Sequence, residues 1–181
     1  MPKIFVSPLS GIADAIAAHA PSHLVSLLDP AHMIETPLGI DPGRHLKVGV
    51  NDIHEPRADA IAPGELHVRE LLSFIDGWDH RDPLLIHCWA GISRSTASMF
   101  ITLCHVNPQA SEMEIARDMR VEAPHAQPNR LLVSHADRLL GRNGRMIAAV
   151  EAMSPARVVF EGDLFHLPSR RSGHTKKPAK G

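Results

Sequence analysis

Pro83-Leu84-Leu85-Ile86-His87-Cys88-Trp89-Ala90-Gly91-Ile92-Ser93-Arg94-Ser95-Thr96-Ala97-Ser98-Met99-Phe100-Ile101 reads as three pieces in succession. The apolar run 83–86 is a short buried strand. The small residues that follow make a tight loop. The run from Ser95 to Ile101 is a buried helix. A strand that feeds a loop and then a helix N-terminus forms a cradle for an anion, because loop N–H groups and the helix dipole converge on one point. Cys88 at the start of the loop adds a nucleophile.

The residue types suit one chemistry. Backbone N–H groups from Trp89 to Arg94 can surround phosphate oxygens, so Trp89, Ala90, Gly91, Ile92, Ser93 and Arg94 are candidate phosphate-binding residues. Arg94 presents a planar fork to two of those oxygens and holds it as charge shifts. A cation at a helix start opposes the helix dipole, so it makes sense mainly with an anion in front of it. The same field favours the thiolate of Cys88, which is the attacking form. Gly91 gives the backbone freedom for an anion-facing turn. Ser95 can donate its hydroxyl to the sulfur and help the thiol leave.

His87-Cys88-x5-Arg94-Ser95 resembles the signature of the protein tyrosine phosphatase superfamily, and Ala90-Gly91-Ile92-Ser93-Arg94-Ser95 is most similar to the dual-specificity branch. The likeness spans roughly residues 45–140. It includes Val50-Asn51-Asp52-Ile53, where such proteins carry a general acid, and Pro128-Asn129 before a helical segment. The resemblance implies a phosphatase working through a thiophosphoryl-cysteine, with Cys88, Arg94, Asp52 and Ser95 catalytic and with His87 and Asn129 in support. It implies no cofactor and no metal. Before residue 45 the match is by strand order alone.

The leaving oxygen needs a proton, and one carboxyl can supply it and then activate water, worth about 10²–10⁴-fold. Asp52, Glu55 and Asp59 are the candidates. Asp52 follows the strand-like run Leu46–Val50 and so falls at the carboxyl edge of a parallel sheet, where such folds place their sites. Glu55 is the next choice.

Other reactive residues have plainer readings. Cys104 lies in the apolar helix and fits a buried small hydrophobe. His87 by itself is a strand-end histidine with one hydrogen bond. The thirteen histidines are scattered, with no zincin-like pair beside a carboxylate. Arg117 and Arg120 fall in a helix expected near the site, where solvent exposure is the default and contact with an acidic peptide the alternative.

The 181 residues carry a formal charge of −1 and no apolar run of membrane-spanning length. That length suits one core, expected over 1–167. The basic stretch 168–181 is expected to be a disordered tail with little call on nucleic acid. The first residues lack a secretory apolar region. Two cysteines suggest no disulfide framework, and a thiolate enzyme points to the cytoplasm.

Alternating segments predict an α/β fold with a mainly parallel sheet flanked by helices and a helical C-terminal part. Strands are expected at Ile4–Val6, His23–Leu28, Leu46–Val50 and Leu84–His87. Helices are expected after Pro8, over Glu65–Trp78, and near 94–106, 111–121, 129–140 and 144–153, with Ser111-x-x-Glu114 as a capping box.

In the family that the chain resembles, members acting on phosphoinositides usually place lysines in this loop, and their absence here favours a phosphoprotein, above all phosphotyrosine, over a phosphoinositide or other small ester. The chain has no tyrosine, so an aromatic wall must come from Trp89, Trp78, a phenylalanine or a histidine. Trp89 reads equally as pocket rim or as packing beneath the loop. A phosphate-binding module without catalysis and a sulfur-transfer enzyme are the rival readings. Nothing in the sequence speaks to oligomeric state.

Overall fold

The computed structural model describes residues 2–170. Five strands form one sheet: β1 (Lys3–Pro8), β2 (His23–Leu28), β3 (His45–Gly49), β4 (Leu84–Cys88) and β5 (Phe165–Pro168), in the order β3-β2-β4-β1-β5. The first four are mutually parallel, and β5 closes the edge antiparallel to β1. The mixed α/β architecture is the expected one. β5 is the element that the sequence pattern did not reveal.

Alternation along the strands explains how the sheet is covered. Ile4, Val6, Val25, Leu27, Leu84 and Ile86 enter the large core under α2 (Glu65–Asp76), α3 (Arg94–Val106), α4 (Glu112–Glu122), α5 (Arg130–Leu139) and α6 (Arg145–Glu151). Phe5, Leu24 and Leu85, one residue out of step, pack on the opposite face with Ile12 and Ala15 of α1 (Ile12–His19) and with Ile40. Strands covered on both faces read as near-continuous apolar runs, as β2 and β4 do.

Every residue of α3 except His105 is buried. Its hydroxyls are satisfied within the helix: Ser98 donates to Arg94 O at 3.0 Å and Thr102 to Ser98 O at 2.8 Å. Ser111 caps α4 by accepting from Glu114 N. α2 ends at Asp76, two residues early, and Trp78 turns into the core, where its Nε1 donates to Asp82 O at 3.0 Å. Trp78 is thereby removed from the candidates for a substrate wall.

The stretch expected as tail begins inside the fold. Pro168 ends β5, the buried Ser169 donates its N–H to Pro2 O at 2.9 Å, and Arg170 donates to Val106 O at 2.8 Å. The remainder of that expected tail, 171–181, lies outside the described residues. No helix among the described residues is long and apolar enough to cross a membrane.

Candidate active site

β4 sits between β1 and β2, so its carboxyl end opens into a crevice between neighbours that the chain visits far apart in sequence. The cradle forms there. Pro8 and Cys88 are register partners at the ends of β1 and β4, and the loop 89–93 then turns into α3.

Hydrogen bonds from outside the loop turn its carbonyls away from the crevice. Trp89 O accepts from Leu9 N at 3.0 Å, Ala90 O from Gly162 N at 2.8 Å, Ile92 O from Gln127 N at 2.9 Å and Ser93 O from Asn129 N at 3.2 Å. With these four carbonyls engaged from outside, the loop's N–H groups are left for an anion. Two glycines make this possible. Gly91 has φ +68°, and a Cβ there would stand 2.8 Å from Pro8 N. A Cβ on Gly162 would fall 2.5 Å from His125 Nε2, so only glycine brings its N–H to Ala90 O.

The Cys88 sulfur is 3.0 Å from Ser95 Oγ, and both residues are buried. Arg94 is buried as well. Its Nη1 donates to Asp29 Oδ1 and to Val50 O, both at 2.8 Å, and its buried Nε has no hydrogen-bond partner among the described residues. A buried guanidinium N–H left over in a cradle is a donor held for an anion.

Asp52 stands beside this group. Its Oδ1 accepts from Ser93 Oγ at 2.6 Å and from Asn129 Nδ2 at 3.0 Å, and its Oδ2 lies 3.9 Å from Arg94 Nε. Asn129 also caps α5, accepting from Leu131 N and Leu132 N at 3.1 and 3.2 Å. One side chain thus joins the acid loop to a helix end. The other two carboxyls stand elsewhere. Asp59 is held by two N–H groups of Arg57, which lower its pKa, and Glu55 is exposed outside the pocket.

Cys88, Trp89, Ala90, Ile92, Ser93, Arg94, Asp52, His54 and Gln127 line one pocket of about 390 Å³. Trp89 is 53% exposed and meets His32 edge-on, with ring centroids 5.5 Å apart, so it stands at the rim and not beneath the loop. Arg120 belongs to the scaffold. Its guanidinium donates to the carbonyls of Ala123, Pro124, Ala126 and Met153. Arg117 is exposed, and Cys104 is buried, its thiol pushed up to about 12 by burial.

Behind the cradle lies a polar chain, buried at His87 and Ser26 and half-buried at His45 and Thr36. His87 Nε2 is 2.5 Å from Ser26 Oγ, which is 2.7 Å from His45 Nε2, and His45 Nδ1 is 2.9 Å from Thr36 Oγ1. Burial holds both imidazoles down at a pKa of about 4, helped by Lys47 at His45 and by His45 and Arg94 at His87, while the Cys88 backbone opposes the shift at His87. Asp29, His45 and Gly162 are site residues that the sequence reading missed. Asp29 carried a signal, since Asp29-Pro30 closes β2 directly beside the carboxyl end of β4.

No family model matches the sequence, and no curated protein matches it. Solved structures do. DUSP15 is 17% identical, with 84% of this chain and 91% of that chain covered at a TM-score of 0.61. The human tyrosine phosphatase-like serine/threonine/tyrosine-interacting protein is 17% identical, covering 77% and 92% at 0.60. PTPMT1 in complex with PI(5)P is 12% identical, covering 77% and 94% at 0.56. At such identities the likeness is one of fold: the chain carries the dual-specificity phosphatase fold of the cysteine-based phosphatases.

Proposed function

We propose that this protein is a cysteine-dependent phosphatase acting on phosphate monoesters, with phosphotyrosine in proteins as the first substrate class and phosphoserine or phosphothreonine as the second. One observation carries the reading. The Cys88 sulfur, the Arg94 Nε left without a hydrogen-bond partner among the described residues and the Asp52 carboxyl border one pocket, and four of the loop's carbonyls are engaged by N–H groups from outside the loop. A module that only held phosphate would need neither the thiol nor the acid.

The proposed reaction runs in two steps. The Cys88 thiolate attacks phosphorus while the bond to the ester oxygen breaks. Loop N–H groups and Arg94 hold the three remaining oxygens, and protonated Asp52 gives its proton to the leaving oxygen. Asp52, now a carboxylate, takes a proton from water as that water attacks phosphorus. The phosphorus–sulfur bond breaks, inorganic phosphate forms, and the Ser95 hydroxyl stabilises the returning thiolate. A phosphotyrosine ring would stand against Trp89 at the rim. The uncharged loop interior and the edge-on His32 contact support this aromatic substrate over an inositol headgroup.

The test is hydrolysis of an aryl phosphate under reducing conditions without added metal, with thiosulfate offered in parallel. Wild-type hydrolysis, its abolition in Cys88→Ser and a loss of about 10²-fold in Asp52→Asn are expected. Equal rates in wild type and Cys88→Ser would overturn the mechanism. Turnover of thiosulfate instead would make the protein a sulfur-transfer enzyme.

A further inference from the structure

Next to the proposed catalytic pocket lies a second cavity of about 290 Å³. His54 and Gln127 line both, so the two are neighbours across a shared wall. The floor of the second cavity includes Val150 and Met153, each 6% exposed. Among the described residues its charged side chains are Arg120 and Arg130, and no carboxylate lines it.

The two arginines differ in what they have left to give. Arg120 spends its N–H groups on main-chain carbonyls, which are neutral, so its charge is uncompensated but its donors are used. Arg130, the first residue of α5, is exposed, and its side chain has no hydrogen bond or ion pair among the described residues. Its full fork of donors is available beside a positive, partly apolar hollow. In the cavity lined by His32, of about 530 Å³, Asp29 and Asp59 are each paired with an arginine, Arg94 and Arg57, so the uncompensated positive charge lies at the first cavity and an anionic segment is drawn there.

From this, and resting on the phosphatase reading above, we infer that the cavity is a specificity subsite for an acidic side chain a few residues from the phosphorylated one, with Arg130 pairing the carboxylate and His54 and Gln127 guiding the peptide between the pockets. The cradle reads the phosphate whatever carries it. Arg130 would select its sequence context.

Binding tests this independently of turnover. Cys88→Ser protein is titrated, by fluorescence anisotropy, with phosphotyrosine peptides bearing three aspartates before or after the phosphorylated residue, and with alanine equivalents. We expect one acidic peptide to bind about tenfold more tightly than its alanine equivalent, as one charge-assisted pair allows. The ratio should fall towards one with Arg130→Gln, survive in part with Arg130→Lys, and shrink as salt rises. Equal binding of acidic and alanine peptides, or a preference untouched by Arg130→Gln, overturns the inference. So does Arg130-dependent binding to vesicles carrying a phosphoinositide without any peptide preference, which would assign the cavity to a lipid headgroup. Aryl phosphate hydrolysis by the wild type reports separately on the phosphatase reading.

Discussion

Asp29 holds Arg94 from behind: its Oδ1 accepts from Arg94 Nη1 at 2.8 Å, while Val50 O accepts from the same nitrogen at the same distance. Both bonds fall on one nitrogen of the guanidinium and leave Nε, 3.9 Å from Asp52 Oδ2, without a hydrogen-bond partner among the described residues. The carboxylate therefore sets the angle of the fork before any phosphate arrives. It also opposes anion binding, since a negative charge lies near the cradle. Removing it should separate these effects.

Asp29→Asn keeps an acceptor and loses the charge. It is expected to leave KM for an aryl phosphate unchanged or lower it, and to reduce kcat about tenfold as the fork loosens. Asp29→Ala, which removes the acceptor too, should cost about a hundredfold in kcat, the scale of a misplacement near 1 Å. Steady-state kinetics on both variants checks this; a rise in KM without loss of kcat would mean that Asp29 acts on binding alone.

Gly91→Ala should disable the cradle with little global damage. The residue sits at φ +68°, and the new Cβ would stand 2.8 Å from Pro8 N and 3.0 Å from Ser7 C, both backbone atoms. The left-handed conformation alone costs a side chain about 1–2 kcal/mol, and the clash must move either the loop or the end of β1. The expected outcome is a stability loss of about 2 kcal/mol and a fall in activity beyond a hundredfold, read by urea unfolding and aryl phosphate assay on the same preparation.

What was legible in the sequence is what is local. Leu84–Cys88, the small-residue loop and the helix from Arg94 are contiguous, and their apolar patterns and turn residues act over a few positions. Asp52 was legible because it follows a strand whose edge is predictable. Asp29, Gly162 and His45 act through register: β2 beside β4, the segment before β5 beside the loop, β3 beside β2. No local pattern carries that information. β5 escaped for a related reason. Phe165-His166-Leu167-Pro168 is four residues long and ends in proline, so it has too little periodicity to mark a strand, and it is stabilised by pairing with β1. Arg120 escaped because an arginine that bonds carbonyls looks, in sequence, like any solvated cation.

Far from the crevice, Glu112 is 5% exposed between Arg142, at 3.0 Å, and Arg145, at 3.2 Å, and Arg142 also donates to Cys104 O at 2.7 Å. This cluster fastens α4 to the start of α6 and to the segment before it. Removing one member leaves a buried charge without its partner. Glu112→Ala is expected to cost about 3–5 kcal/mol, seen as a lower urea midpoint, while activity per folded molecule at low denaturant is unchanged. A loss below about 1 kcal/mol would mean that water reaches Arg142 once the carboxylate is gone.

Acid destabilises this fold through its buried histidines. His87 is fully buried, and burial holds its pKa down at about 4 against about 6.5 when unfolded. Above pH 6.5 the imidazole is neutral in both states and its titration has no effect on stability. Between about 6.5 and 4 the unfolded chain takes up a proton that the folded one refuses, so stability falls as pH drops through that window. Below about 4 both states are protonated and the loss, about 3 kcal/mol from this group, is complete. His45, which shares Ser26 with His87, is also held near 4 and adds in the same direction. Ser26 has one hydroxyl proton, so it donates to one ring and accepts from the other, and a charged ring on either side disturbs both bonds. Urea midpoints measured from pH 7 to 4 should therefore fall more steeply for the wild type than for His87→Gln, which keeps a polar group near Ser26 and cannot titrate. Parallel slopes in the two proteins would show that other buried histidines carry the acid sensitivity.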